Sequence, residues 1–278
     1  MTARGAADTA KVDILIPCAP KDVRTLPFAI DAARKHVRHP IGRIYVVAPR
    51  NRRIKAVCRR KNVSFVDERR VLPFSKNRYR YRTKTRELSG WLYQQLLKLS
   101  GDRVCRAGHF LVLDADTLLI RPHRFLRGGK TVFYCRNWSR PEYFRTLAKL
   151  LGRRRASSRS FVAHCMLFSR RKLAILKKTI EKRHGIAWHE AIWRAMDKTK
   201  PYAFSEYETY GNFVYGRDPR SVIRLPALNR NMASDPRRLT ERAIRRLARS
   251  YRSLSFHKRK GYRRTAMAGR SRKGGQRG

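Results

Sequence analysis

Acidic residues are scarce in this chain. Its 278 residues include 19 Asp and Glu against 68 Lys and Arg, which gives a formal net charge of +49 and a pI near 11.6. An excess of this size predicts an anionic partner, which could be nucleic acid, a membrane surface rich in acidic lipid, or an acidic glycan. Net charge alone does not choose among the three.

Cysteine pairs and long apolar runs are also missing. The five cysteines are widely spread and form no C-x-x-C pair, a pattern that disfavours zinc or redox sites and is typical of reduced cytosolic proteins. No segment approaches the roughly 20 apolar residues of a transmembrane helix, and the first residues do not form a signal peptide. We therefore expect a cytoplasmic protein, with any membrane contact peripheral and at the inner face.

Short apolar runs alternate with amphipathic stretches in the first third of the chain. Residues 12–17, 43–49 and 63–67 read as buried parallel strands joined by crossover helices. This βαβαβ pattern predicts a Rossmann-like half-sheet, continued as a mixed central sheet with flanking helices in one α/β domain. Ligands of such sheets bind beyond the carboxyl ends of the strands, so PCAPKD (17–22) is a predicted binding loop.

Two of the few acids end the most apolar run, FLVLDADTLLIRP (110–122). Burying an unpaired Asp costs several kcal/mol, so Asp114 and Asp116 at alternate positions need a reason. Together they could bind a hard cation such as Mg²⁺ or Mn²⁺. Alternatively they cap a turn or pair with a neighbour such as Arg121, and the D-x-D tripeptide taken alone favours this second explanation.

Taken in order, six segments resemble a largely uncharacterised bacterial group of glycosyltransferases of the GT-A fold. The segments lie between residues 12 and 257 and are VDILIPCAPKD, GWLYQQLLKL, HFLVLDADTLLIRP, FVAHCMLFSR, WHEAI and SEYETYGNFVYG. The resemblance implies a metal-dependent transfer of a sugar from a nucleotide-diphosphate-sugar donor to a glycan or lipid acceptor. It implies Mn²⁺ or Mg²⁺ between the D-x-D carboxylates and the diphosphate, and leaves the sugar, the base and the acceptor open.

The resemblance also implies roles for single residues near the donor. Asp114 and Asp116 would bind the metal and the donor, and His257 matches a C-terminal histidine that often completes the metal site in this fold. The loop residues expected to border the nucleotide are Pro17, Cys18, Lys21 and Asp22.

The helix before the D-x-D strand has polar residues at helical spacing. Trp91, Gln94, Gln95 and Lys98 share a face that could reach the donor. Core packing is the alternative for Trp91, and solvent exposure is the alternative for Lys98.

The segment SEYETYGN holds two further acids. Glu206 and Glu208 are candidates for a general base or for acceptor contacts, although Glu208 also stands in capping-box spacing with Ser205. Sugars stack on aromatic rings and hydrogen-bond to amides, which makes this segment a source of acceptor contacts. The predicted contacts are Tyr207, Tyr210 and Asn212.

Two histidines remain open in function. His164 interrupts the predicted strand SFVAHCMLFS (160–169), and the resemblance places that strand beside the acceptor, but a lone histidine there can also be a satisfied core residue. His189 in WHEAI has the same two explanations.

The predicted domain spans residues 12–257, with a nucleotide-sugar-binding half at 12–122 and an acceptor half at 123–257. We predict a flexible N-terminus at 1–11 and a basic, disordered tail at 258–278. This tail and the basic stretch before it could dock on an anionic membrane surface.

Two other functions compete with sugar transfer. A nucleic-acid-binding module suits the charge, and RYRYR (78–82) is a local example of basic residues interleaved with aromatics, but no recognisable binding motif is present. A nucleotidyl or phosphoryl transferase would also hold Mg²⁺ with paired carboxylates, but the sequence has no glycine-rich phosphate loop.

Overall fold

The first part of the fold is a parallel half-sheet. The computed structural model describes residues 10–257; the predicted basic tail and most of the predicted flexible N-terminus lie outside this range. Strands and helices alternate as β1 Val12–Pro17, α1 Leu26–His36, β2 Ile41–Ala48, α2 Arg52–Arg60 and β3 Ser64–Asp67. The strands pair in parallel, β1 with β2 and β2 with β3, which confirms the predicted βαβαβ half-sheet.

Two more strands complete a mixed five-stranded sheet. β6 (His109–Leu113) pairs in parallel with β1, and β10 (Cys165–Ser169) pairs antiparallel with β6, giving the order β10-β6-β1-β2-β3. The strand predicted for 160–169 is wrong in its first half. His164 adopts the left-handed φ of 62° just before β10, so the chain changes direction there and only the residues after it join the sheet.

Helices cover both faces of this sheet, because both faces are apolar. α1 and α2 cover one face. The other face is covered by α3 Ser89–Leu99, α4 Pro141–Leu151, α5 Arg170–His184, α6 Trp188–Ala195 and α7 Glu206–Arg217. Leu15 packs in the core on one face, whereas its neighbours Ile14 and Ile16 pack in the core on the other. Alternate residues of a strand point to opposite faces, so a strand that is covered on both sides is apolar throughout.

Short strands form three smaller sheets around this core. β8 (Leu126–Arg127) and β11 (Val222–Pro226) flank β9 (Lys130–Cys135), and β4 (Arg82–Thr83) pairs with β5 (Arg86–Glu87). β13 (Ser253–Ser255) lies between β12 (Asn229–Asn231) and β7 (Thr117–Leu119) and runs antiparallel to β7. This last pairing brings the end of the described chain back to the D-x-D segment.

The final helix of the described residues is α8 (Glu241–Leu247). Before it, Pro236–Arg238 form a separate 3-10 turn. The Thr240 hydroxyl caps α8 by accepting from the Ala243 amide at 3.2 Å. Within residues 10–257 no helix combines the length and the apolar character needed to cross a bilayer.

Candidate functional site

The chain turns sharply where β6 ends. The Thr117 amide donates to the Asp114 carbonyl at 3.0 Å, so Asp114 and Asp116 lie in one tight turn. The alternative ion pair with Arg121 is not formed, because that guanidinium donates to the carbonyls of Ala248 and Arg249. The two acids therefore face other partners.

Asp114 is the centre of a buried polar network. Its Oδ1 lies 2.6 Å from Lys98 Nζ and accepts from the Tyr207 hydroxyl at 3.2 Å, and its Oδ2 lies 3.0 Å from His164 Nδ1. Lys98 also contacts Glu206 Oε1 at 2.8 Å. Lys98 and Glu206 are 4% and 1% exposed, so α3 and α7 are joined to the D-x-D turn by charges that water does not reach.

The two carboxylates that share Lys98 differ in their affinity for protons. Burial lowers the pKa of Lys98, but Asp114 and Glu206 outweigh this effect and raise it. Burial acts to raise the pKa of Asp114, yet Lys98 and His164 hold it well below its usual range. Burial raises the pKa of Glu206 despite Lys98. Asp114 therefore carries the charge that Lys98 chiefly balances, and Glu206 is the carboxyl that accepts a proton more readily.

Asp116 has a histidine of its own. Its Oδ2 lies 2.8 Å from His257 Nδ1, because the β7–β13 pairing and a backbone hydrogen bond from Phe256 to Asp116 carry His257 to this point. The His257 ring lies 4.9 Å from the His164 ring, measured between centroids. Two carboxylate–imidazole pairs thus stand side by side.

One ring nitrogen of His164 is engaged by Asp114 and the other is not engaged by any described residue. A carboxylate only accepts, so Nδ1 must be the atom that carries hydrogen toward Asp114. Burial lowers the pKa of His164, which favours the neutral ring. Its Nε2 is then unprotonated and can accept a hydrogen bond or bind a cation. This buried atom has no hydrogen-bond partner in the part of the chain that the structure describes.

The loop after β1 adds a third carboxylate. Asp22 is 7% exposed. Burial raises its pKa to about 6; the charge of Lys21 opposes this shift, and the carboxylates of Asp116 and Asp114 add to it. Three acids therefore gather at one edge of the sheet in a chain of net charge +49.

A side chain of helix α3 holds the start of the predicted donor loop, PCAPKD (17–22). Gln94 on α3 donates from Nε2 to the Pro17 carbonyl at 3.2 Å. Cys18 is buried, and burial raises its pKa well above the usual thiol value, so its sulfur is uncharged. Lys21 is exposed at the tip. The loop thus offers a backbone held by Gln94 and an exposed positive charge beside Asp22.

Only two of the four residues on the predicted binding face of helix α3 reach the site. Gln94 and Lys98 reach the site, whereas Gln95 donates to the Trp91 carbonyl at 2.9 Å within the helix. Trp91 packs edge-on against Tyr202 at 5.2 Å between ring centroids. Trp91 and Gln95 therefore serve the helix and its packing.

Most of the predicted contacts on α7 are used inside the fold. The Ser205 hydroxyl caps the helix by accepting from the Glu208 amide at 3.2 Å. The Glu208 carboxylate accepts from the Ser160 hydroxyl, from the Phe161 amide and from Asn212 Nδ2. Glu208, Tyr210 and Asn212 are 0%, 1% and 4% exposed, so their side chains present no surface to an acceptor.

His189 lies in a separate aromatic cluster. Its Nδ1 lies 2.7 Å from the Tyr79 hydroxyl, and its ring lies 4.7 Å from that of Phe74. Burial lowers its pKa. These contacts agree with the structural explanation for His189.

Within residues 10–257 no group of three or more His, Cys, Asp or Glu side chains is arranged to hold a metal ion. Of the three predicted ligands, Asp114 is engaged on both oxygens by Lys98 and His164. Asp116 and His257 contact each other and remain the better placed pair.

Sequence reasoning missed Arg136. It follows β9 directly, just as Asp114 follows β6, and a charged residue at the end of an apolar strand is the signal that could have identified it. Its buried Nη2 atom has no hydrogen-bond partner among the described residues.

A cavity of about 320 Å³ lies further along the same edge of the sheet, at the carboxyl ends of β2 and β3. Its floor includes the Phe65 ring, with Lys55 Nζ 5.3 Å from the ring centroid. The lining residues are Arg50, Lys55, Phe65, Val66, Asp67 and Arg70.

Comparison with known proteins gives one family and several structures. The model of a family described as a family of unknown function (DUF6492) matches residues 10–231. No curated protein matches the chain.

Among solved structures, the chain is similar to mouse xyloside xylosyltransferase 1 in its apo form, with 12% identity, coverage of 88% of this chain and 97% of that one, and a TM-score of 0.49. It is similar to the galactosyltransferase LgtC in complex with donor and acceptor sugar analogs, with 14% identity, 88% and 87% coverage, and a TM-score of 0.47. For the apo WbbM bifunctional glycosyltransferase the identity is 13%, the coverage 89% and 46%, and the TM-score 0.47. Similarity at this level adds no argument about function.

Proposed function

We propose that this chain, which belongs to the DUF6492 family of unknown function, transfers a sugar from a nucleotide-diphosphate-sugar donor to a glycan or lipid acceptor with the help of Mn²⁺ or Mg²⁺. The proposal rests on Asp22, Asp114 and Asp116, which lie together with His164 and His257 at the carboxyl edge of the sheet. We call the three carboxylates the acid group. Carboxylates that gather in a largely buried site favour a cation as their partner.

The residues present fit such a cation. His164 Nε2 is a buried lone pair without a partner in residues 10–257, and the Asp116–His257 pair lies beside it. Mg²⁺ and Mn²⁺ take one or two protein carboxylates together with substrate phosphates, so Asp116 with His257 is a sufficient set from this chain. When bound, the cation would neutralise the negative charge that develops on the departing diphosphate.

The neighbouring residues would keep this set in position. Lys98 holds Asp114 at 2.6 Å, and Glu206 holds Lys98 at 2.8 Å from the other side. Because its two ion pairs are with protein carboxylates and its ammonium otherwise lies over the Tyr207 ring, Lys98 acts on the donor only through Asp114. Glu206 is a positioning residue in this scheme, since it is 1% exposed and touches no open surface.

The nucleoside would lie toward the cavity at the ends of β2 and β3. Phe65 offers a ring for a base, and Arg50 and Lys55 offer positive charge. The PCAPKD loop stands between this cavity and the acids, where a diphosphate would join the two parts of the donor.

A hydrolysis screen tests the proposal. Glycosyltransferases can pass the donor sugar to water when no acceptor is present, so a panel of nucleotide-diphosphate-sugars is incubated with the full chain and Mn²⁺. We expect at least one donor to be cleaved, with the rate falling more than about tenfold in Asp116→Asn. The exposed Asp31→Asn variant, which breaks only a surface pair with Lys61, is the matched control. Cleavage that is equal in Asp116→Asn and the wild type would refute the assigned site.

A further inference from the structure

Arg136 lies close to Asp114, and one of its guanidinium nitrogens has no hydrogen-bond partner within residues 10–257. Its backbone exchanges two hydrogen bonds of 2.8 Å with Ser160, and His164, four residues further along, contacts Asp114. The segment 160–164 therefore joins Arg136 to the site. Its Nη2 atom is buried and, within residues 10–257, has no acceptor. A buried guanidinium nitrogen without an acceptor indicates that a ligand supplies one.

Asp114 does not supply that acceptor. Burial lowers the pKa of Arg136, and the Asp114 carboxylate opposes this shift from nearby. Both oxygens of Asp114 are already engaged, one by Lys98 and the other by His164. The charge of Arg136 is thus near the reacting end of the site and remains available to an oxyanion.

A set of aromatic rings and guanidinium groups begins two residues after Arg136 in the chain. Trp138 is 56% exposed, although most large apolar side chains here are buried. The Arg140 guanidinium lies 5.5 Å from the Trp138 ring and 5.1 Å from the Tyr202 ring, and that of Arg86 lies 5.8 Å from Tyr202. We call Trp138, Arg140, Tyr202 and Arg86 the arginine–aromatic row.

Tyr202 is held in an uncommon conformation within this row. Its φ is 58°, in the left-handed region that non-glycine residues rarely adopt. Arg86 donates to its hydroxyl at 3.3 Å, and the edge of Trp91 packs against its ring. Backbone strain that packing maintains is frequent at ligand sites, which makes Tyr202 a candidate for ligand contact.

We propose that Arg136 and the arginine–aromatic row bind the acceptor, and that the acceptor is an anionic saccharide. Pyranose rings stack on aromatic faces, and guanidinium groups bind carboxylates or phosphates with two parallel hydrogen bonds. The row alternates these two kinds of group, as an acidic saccharide alternates apolar ring faces and charged substituents. Arg136, at the inner end, would hold an acidic group next to the sugar that receives transfer. The proposal rests on the proposed function of the neighbouring site.

Titration with defined saccharides tests this proposal. The full chain is titrated with an oligogalacturonide, which carries carboxylates, with a phosphorylated mannose oligosaccharide, and with a neutral mannose oligosaccharide of the same length. Calorimetry gives the Kd, and tryptophan fluorescence reports on Trp138. We expect at least one acidic saccharide to bind about tenfold more tightly than the neutral one, and the acidic saccharide that binds identifies the charged group.

Two variants and a control locate the binding. Trp138→Ala changes an exposed side chain and should fold normally; Arg136→Lys keeps the charge but loses the paired hydrogen bonds. Each should raise the Kd of the acidic saccharide about tenfold. Arg217→Gln is the matched control, because Arg217 also lies over an aromatic ring, that of Phe213, at 5.3 Å. Equal affinity for acidic and neutral saccharides, or equal effects of all three variants, would overturn the proposal.

Nucleoside diphosphate binding with Mn²⁺, measured on the same proteins, separates this inference from the proposed function. Saccharide binding without nucleotide binding would remove the transferase and leave the saccharide site. Weaker nucleotide binding in Arg136→Lys with unchanged saccharide binding would assign Arg136 to the donor and overturn the inference. Binding of single-stranded DNA that is lost in Trp138→Ala, with no saccharide binding, would make the row a nucleic-acid surface and also overturn it.

Discussion

Lys98 shows how a single residue fixes the site. It is an ammonium 4% exposed, and it serves two carboxylates from different elements, Asp114 and Glu206. If the lysine is removed, two buried acids face each other without compensation, and breaking a buried pair in this way is strongly destabilising.

The Lys98→Met variant should therefore lose about 3–5 kcal/mol of unfolding free energy in a denaturant titration. Adding Glu206→Gln to it should restore part of the loss, because one of the two uncompensated charges is removed. Lys61→Met is the control, since Lys61 and Asp31 form a surface pair worth at most about 1 kcal/mol. Equal losses in Lys98→Met and Lys61→Met would contradict the account of the network.

His123 makes stability depend on pH. It is 1% exposed, stacks on Phe125 at 5.8 Å, and contacts the Arg121 carbonyl through Nδ1 at 2.7 Å. Burial lowers its pKa to about 4, while the unfolded chain keeps a value of about 6.5. Below pH 6.5 the unfolded state binds the proton first, so this contribution is complete above pH 6.5 and is lost as the pH falls toward 4.

From pH 7.5 to pH 5, His123 should account for a loss of about 2 kcal/mol of unfolding free energy. His123→Phe removes the titrating group, and its stability should fall less over that interval in urea titrations. The same loss in variant and wild type would show that His123 does not cause it.

Several site residues could be predicted from the sequence, and others could not. Asp114 and Asp116 end an apolar strand, and the resemblance of the surrounding segments to a known group was needed to select them together with His257. The burial of Glu208 and Asn212, and the orphaned nitrogen of Arg136, depend on residues dozens of positions away in the chain. A local pattern has no access to such contacts.

At the scale of elements, the β7–β13 pairing decides whether His257 reaches Asp116. Leu254, fully buried in β13, pairs in register with Leu118 in β7, and the next backbone contact is from Phe256 to Asp116. The apolar runs revealed the parallel strands, but the strand predicted for 160–169 failed because the turn at His164 depends on its contact with Asp114.

Leu254→Ala should cost about 2–4 kcal/mol of stability and should also weaken metal-dependent nucleotide binding at temperatures well below its Tm, because His257 loses its support. Leu150→Ala, in a different part of the core, is an equally buried control and should lose stability without losing binding. If both variants kept full binding, the pairing would not be what positions His257.

At the scale of the whole molecule, positive charge surrounds a small acidic site. Helix α8 illustrates the surface: its apolar residues Ile244 and Leu247 pack inward, while Arg242, Arg245 and Arg246 are exposed. Such a surface attracts anionic lipids, and salt screens the attraction.

The full chain should therefore sediment with vesicles that contain anionic lipid at about 50 mM salt and be released at about 500 mM salt, where the screening length is far shorter. Replacing Arg242, Arg245 and Arg246 with Gln should weaken the binding. Equal sedimentation with neutral vesicles would exclude an electrostatic membrane contact.

We propose that the acid group of this very basic chain binds a nucleoside diphosphate through a divalent cation. Calorimetric titration with a panel of nucleoside diphosphates in Mn²⁺ measures this binding. We expect it to weaken by more than about tenfold after chelation of the metal and in Asp116→Asn, but not in Asp31→Asn. If no nucleoside diphosphate bound in the presence of metal, while DNA bound tightly with a steep dependence on salt, the proposed function would be wrong.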